Sequence, residues 1–75
     1  MKYYVTLIMH DWKGAITGRA ENYEFDDEGK AIAKAKEISE PDYVTLNHDV
    51  SAGDSADIDA ETEGGENVFS KTLSF

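Results

Sequence analysis

Carboxylates occupy every second position from Asp57 to Glu63 within the stretch SADIDAETEGGE, residues 55 to 66. No other feature restricts the backbone as much, because alternate residues share a face only in an extended strand. In that conformation Ala56, Ile58, Ala60 and Thr62 face one way, and Asp57, Asp59, Glu61 and Glu63 face the other. Gly64-Gly65 is a hairpin signal. Pairing Glu63 with Glu66 across it sets Ala60 opposite Phe69 and Ala56 opposite Leu73, which predicts strands over about 56–62 and 67–75. Asp, Glu and Ala are weak strand formers, so two alternatives stay open at this point. One is a short helix capped by Ser55 and closed by Gly64, and the other is a disordered acidic segment.

The N-terminal run KYYVTLIMH also alternates, and its β-branched and aromatic residues predict a strand with Tyr3, Val5, Leu7 and Met9 on one face. Asp11-Trp12-Lys13-Gly14 then reverses the chain into a second strand at about 15–24. A register with His10 facing Ala15 places Met9, Leu7, Val5 and Tyr3 opposite Ile16, Gly18, Ala20 and Asn22. A slip of one residue would bring Arg19 and Glu21 to the core, so the first register is preferred, with Gly18 and Ala20 as a flat seat for a helix. A helix over about 27–39 follows, with Asp26 or Asp27 as its cap and Ala31, Ile32, Ala35 and Ile38 as its inner stripe. Pro41 ends it, and Tyr43 to His48 read as a third strand with Val44 and Leu46 inward. The expected fold is therefore α+β: one small domain, β-β-α-β-β-β, with an antiparallel sheet and one helix packed on one face.

Seventy-five residues without cysteine leave no thiolate metal site, disulfide or thiol nucleophile, which fits a cytoplasmic protein. No apolar run approaches the roughly 18 residues that span a bilayer, and the N-terminal strand alternates too strongly for a signal peptide. Residues 1 to 36 are neutral overall, whereas residues 37 to 75 hold ten acidic side chains against Lys71 alone, so the net charge of -9 belongs to the second half. Such a surface repels phosphate backbones and anionic lipid, which argues against direct nucleic-acid or membrane binding and leaves two readings open, a basic protein partner or a charge that only keeps the chain in solution.

Little in the sequence points to a reaction. His10-Asp11 and His48-Asp49 repeat a potential ligand pair, but the predicted topology separates the two histidines by about 15 to 20 Å, so no shared metal is expected. The acidic alternation fails the calcium-loop pattern, with Thr62 at position six and Val68 at position twelve. Weak cation binding is all that these carboxylates offer. No Ser-His-Asp set converges and no glycine-rich loop enters a helix, so neither a catalytic residue nor a cofactor is assigned.

Two surfaces remain as candidates for partner binding. The first is the acidic row Asp57, Asp59, Glu61 and Glu63 with Glu66 beside it. The second is the sheet face that a single helix leaves open, predicted to carry Tyr4, Ile8, Arg19 and Tyr43, with Thr6, Thr17, Thr45 and Tyr23. Burying Tyr4, Ile8 and Tyr43 from two copies would also allow a weak homodimer. Trp12 at the hairpin tip is expected to pack back over the sheet edge, with an exposed interaction anchor as the alternative. The layout of a hairpin, an alanine-rich helix and a further strand over residues 1 to 48 resembles small phage-encoded inhibitors of host defence, including anti-CRISPR proteins, and small bacterial proteins. That resemblance carries no functional residue across. It implies a binding protein rather than an enzyme. The linear row of Asp57, Asp59, Glu61 and Glu63 offers a second reading, a DNA-mimic inhibitor of a nucleic-acid-binding protein.

Overall fold

A computed structural model describes residues 1–75, apart from the side chain of Arg19. Its elements are β1 (Tyr3–His10), β2 (Ile16–Phe25), α1 (Glu28–Ile38), α2 (Pro41–Asn47), β3 (Ser55–Thr62) and β4 (Asn67–Ser74). They form the expected α+β arrangement, with antiparallel strands ordered β2-β1-β3-β4. The helices carry the chain from β2 across one face of the sheet, so β3 enters on the far side of β1 and becomes a central strand. No helix among the described residues is long and apolar enough to cross a membrane.

The core lies where the alternation predicts it. Val5, Leu7 and Met9 of β1 and Ala56, Ile58 and Ala60 of β3 are buried against Ala31, Ala35 and Ile38 of α1. Alanine at two of the three helix positions lets the helix axis approach the sheet closely. The Asp27 carboxylate accepts a hydrogen bond from Lys30 N at 2.9 Å and starts α1, while Ser39 caps its end.

Both hairpins close with the same three-residue turn. Asp11 N donates to Ala15 O and Gly14 N to Asp11 O, both at 2.9 Å; Thr62 N donates to Glu66 O and Gly65 N to Thr62 O, also at 2.9 Å. Gly14 and Gly65 take φ of 84° and 89°, the left-handed position such turns require. The expected pairings Ala60↔Phe69 and Ala56↔Leu73 are present, but the turn is one residue longer than a Gly64-Gly65 loop. An irregularity beside Val68 absorbs the difference, with Glu61 pairing Asn67.

Three expectations are corrected. Residues 43–48 form no strand: Pro41 occupies the first turn of α2, where its missing N–H costs nothing, and Tyr43 to Asn47 are helical. Val44 is inward as expected, but Leu46 is 84% exposed. The first hairpin keeps its strands and changes its register: the three-residue turn moves His10 from Ala15 to Ile16, and irregularities at Thr17 and Ala20 add one residue each, giving Met9↔Gly18, Leu7↔Glu21 and Val5↔Tyr23. Glu21, Tyr23 and Phe25 therefore turn toward the helices, and Gly18 and Ala20 seat no helix. Trp12 does not pack back: it is 71% exposed at the hairpin tip, with Lys13 Nζ 5.0 Å from its ring centre.

Candidate functional site: the helix-free sheet face

The two surfaces expected from sequence are one surface. Because β3 pairs directly with β1, Tyr4 lies beside Glu61, Thr6 beside Asp59 and Ile8 beside Asp57 on the face that carries no helix. β4 adds Ser70 and Thr72, opposite Asp59 and Asp57, and β2 adds Asn22 and Glu24, opposite Thr6 and Tyr4. An acidic row thus runs down the middle of the face, with a mixed aromatic and aliphatic row on one side and a hydroxyl row on the other.

The acids are held in place. Thr72 Oγ1 donates to Asp57 Oδ1 at 2.7 Å, and Ser70 Oγ donates to Asp59 Oδ1 at 2.8 Å. His10 Nε2 reaches Asp57 Oδ2 at 2.7 Å, so Asp57 is bridged from both neighbouring strands. These bonds fix the side chains before any partner arrives, which lowers the entropy lost on binding. Asp59 and Glu61 keep the more open charge, since no cation neighbours either among the described residues.

Several sequence-predicted residues lie elsewhere. Glu63 and Glu66 belong to the β3–β4 turn rather than the row; Glu63 N donates to Lys2 O at 3.1 Å, and Glu66 N to Thr62 Oγ1 at 3.2 Å. Tyr43 and Thr45 are on α2, and Tyr23 points to the helix side of β2, so none contributes to this face. The Arg19 backbone pairs with Ile8, but its side chain lies outside the described residues. His10 and His48 occupy opposite faces of the sheet.

A second polar cluster was missed in the sequence. Glu21 accepts hydrogen bonds from Tyr23 Oη, from Tyr43 Oη at 2.7 Å and from His48 Nε2 at 2.6 Å. Burial pushes the Glu21 carboxyl up, but the bonds from Tyr23, Tyr43 and His48 outweigh it and leave the carboxyl below its ordinary value. The same carboxylate, with burial, pushes both tyrosine hydroxyls up. Lys34 Nζ of α1 sits 4.6 Å from the Tyr23 ring centre and closes the cluster from above. The signal available in sequence was the spacing of Tyr43, Val44, Asn47 and His48, which is that of one helix face.

Comparison with protein-family models, with curated proteins and with solved structures returns no match.

Proposed function

We propose that this chain is a small non-enzymatic binding protein that holds a basic protein partner on its helix-free sheet face. One observation carries the reading: Asp57, Asp59 and Glu61 share that face with Tyr4 and Ile8, residue beside residue. Carboxylates steer a basic surface and fix its register, and a tyrosine and an isoleucine between them give apolar area to bury. The net charge of -9 extends the attraction beyond the contact itself. The absence of cysteine supports a cytoplasmic setting.

The arrangement favours a basic partner over a second copy. Stacking two such faces would set two central acidic rows against each other, and Tyr43 is not there to supply apolar area. The DNA-mimic reading draws on the same row. Alternate strand residues stand about 6.7 Å apart, whereas a DNA strand presents a charge about every 3.4 Å along the helix axis. One oxygen of Asp57 is also taken up by His10, 2.7 Å away. The row is thus sparser than a phosphate backbone, and Tyr4 and Ile8 interrupt the face in a way that a mimic does not need.

A pull-down from lysate tests the reading with three baits: wild type, Asp57→Asn/Asp59→Asn/Glu61→Gln, and Tyr4→Ser/Ile8→Ser. The expected result is a basic protein retained by wild type and lost from both variants, with partial retention by wild type at high salt. Retention by both variants overturns the assignment to this face. Complete loss from wild type at high salt, with the Tyr4→Ser/Ile8→Ser bait unaffected, favours mimicry.

A further inference from the structure

The two edges of the sheet are not alike. β2 is broken by irregularities at Thr17 and Ala20 and carries Arg19, Glu21 and Glu24, features that discourage strand addition. β4 is the other edge, and from Phe69 to Ser74 it keeps an unbroken register against β3 with Lys71 as its sole charge. An antiparallel edge strand leaves alternate backbone N–H and C=O groups pointing away from the sheet. Phe75 N donates to Asp54 O at 2.9 Å and Gly53 N to Phe75 O at 2.9 Å, so the far end of β4 is pinned as well. From Phe69 to Ser74 the edge is regular and anchored at its far end.

What lies beside that edge selects its occupant. On the helix-free face β4 presents short hydroxyl side chains, Ser70 and Thr72, already turned toward Asp59 and Asp57. A strand added outside β4 would lie two strand spacings, about 9.6 Å, from the acidic row. An extended lysine or arginine on it spans that gap over the low hydroxyl row and meets the carboxylate side chain part of the way. Alternate positions of the added strand share a face, so basic residues at every second position would match Asp57 and Asp59 in step, with Glu61 beyond the irregularity at Val68. A second copy of this chain is a poorer occupant: it brings its own charge of -9, and the symmetric register centred on Lys71 sets the two lysines opposite one another.

We propose that the free edge of β4 takes an extended segment of the partner, basic at alternate positions, as a fifth strand of the sheet. This rests on the reading that the helix-free face binds a basic partner, and it names how that partner is held. The backbone ladder supplies affinity, and the spacing of the acids supplies register and discrimination.

Labelled synthetic peptides of eight residues, the length of β4, test it. One peptide alternates lysine with valine, and a second has the same sequence with the amides of one edge N-methylated, which removes strand donors and keeps every charge. Both are titrated by fluorescence anisotropy against the wild-type chain and Asp57→Asn/Asp59→Asn. The expected result is saturable binding of the unmodified peptide, weakened about tenfold or more by N-methylation of the pairing edge, as loss of several net hydrogen bonds implies. The aspartate variant should weaken it as well, and amide exchange should slow in β4 on binding. Equal affinity for the two peptides overturns strand addition. If the aspartate variant still weakens both, the face reading survives; if it weakens neither, that reading falls too. Absence of binding up to about 1 mM peptide also overturns the proposal.

Discussion

His48 Nε2 lies 2.6 Å from Glu21 Oε2, and this contact fastens the end of α2 to the sheet strand β2. Tyr43 reaches the other oxygen of the same carboxylate, so both bonds from the helix segment converge on one side chain. α2 has only Val44 fully buried, and Glu21 therefore carries an unusual share of its docking.

Replacing Glu21 with Gln should destabilise the fold by about 1–3 kcal/mol at neutral pH, because the charge-assisted bonds are lost and one partner is left unmatched. The acid limb of the stability curve should change with it. The folded-state value lies below the ordinary glutamate value of about 4.3, so the ionised carboxyl contributes stability fully above that value. The contribution disappears as pH falls through the lower folded value. Urea titrations over acid and neutral pH should show a shallower acid loss in Glu21→Gln than in wild type. Identical slopes would remove Glu21 from this role.

The helical state of residues 41–47 separates two neighbours that a strand would treat alike. Val44→Ala should cost roughly 2 kcal/mol, as deletion of buried methyl groups does. Leu46→Ala should change stability by less than about 0.5 kcal/mol, since the side chain is exposed. Chemical denaturation of the two variants checks this, and equal losses would restore the strand.

Gly53 has φ of 92°, and a Cβ placed there would stand 2.9 Å from the Cβ of Trp12. Gly14 has φ of 84° with nothing within 4 Å of the same position. Gly14→Ala should therefore show only the backbone cost, on the order of 1 kcal/mol. Gly53→Ala should exceed it, because the hairpin tip must move away from the loop before β3. Thermal denaturation with tryptophan emission as the probe should show the larger shift, and a changed emission maximum, in Gly53→Ala alone.

Much of this fold is legible in the sequence because period-two alternation survives local error. Ala56, Ile58 and Ala60 are buried, and Asp57 and Asp59 point to the other face, as their spacing requires. Three things were hidden. Tyr43, Val44 and Thr45 have β-forming side chains, and their propensity masked the helix that Pro41 starts and the Glu21 contacts hold. The irregularities at Thr17 and Ala20 leave no composition signal, yet they turn Glu21 and Tyr23 to the helix side. The union of acidic row and Tyr4-Ile8 row depended on strand order. That order follows from the path of the helices across the sheet rather than from any local pattern.

Amide chemical-shift mapping with an alternately basic peptide locates the binding surface residue by residue. A chain with net charge -9 attracts basic peptides everywhere, so the position of the response is what counts. Binding at the β4 edge of the helix-free face should give the largest perturbations in β4 from Phe69 to Ser74 and at Asp57 and Asp59, with smaller ones at Glu61, Tyr4, Thr6 and Ile8. Perturbations centred instead on the exposed acids of the helix side, Glu37, Glu40 and Asp42, with the sheet face silent, would contradict it.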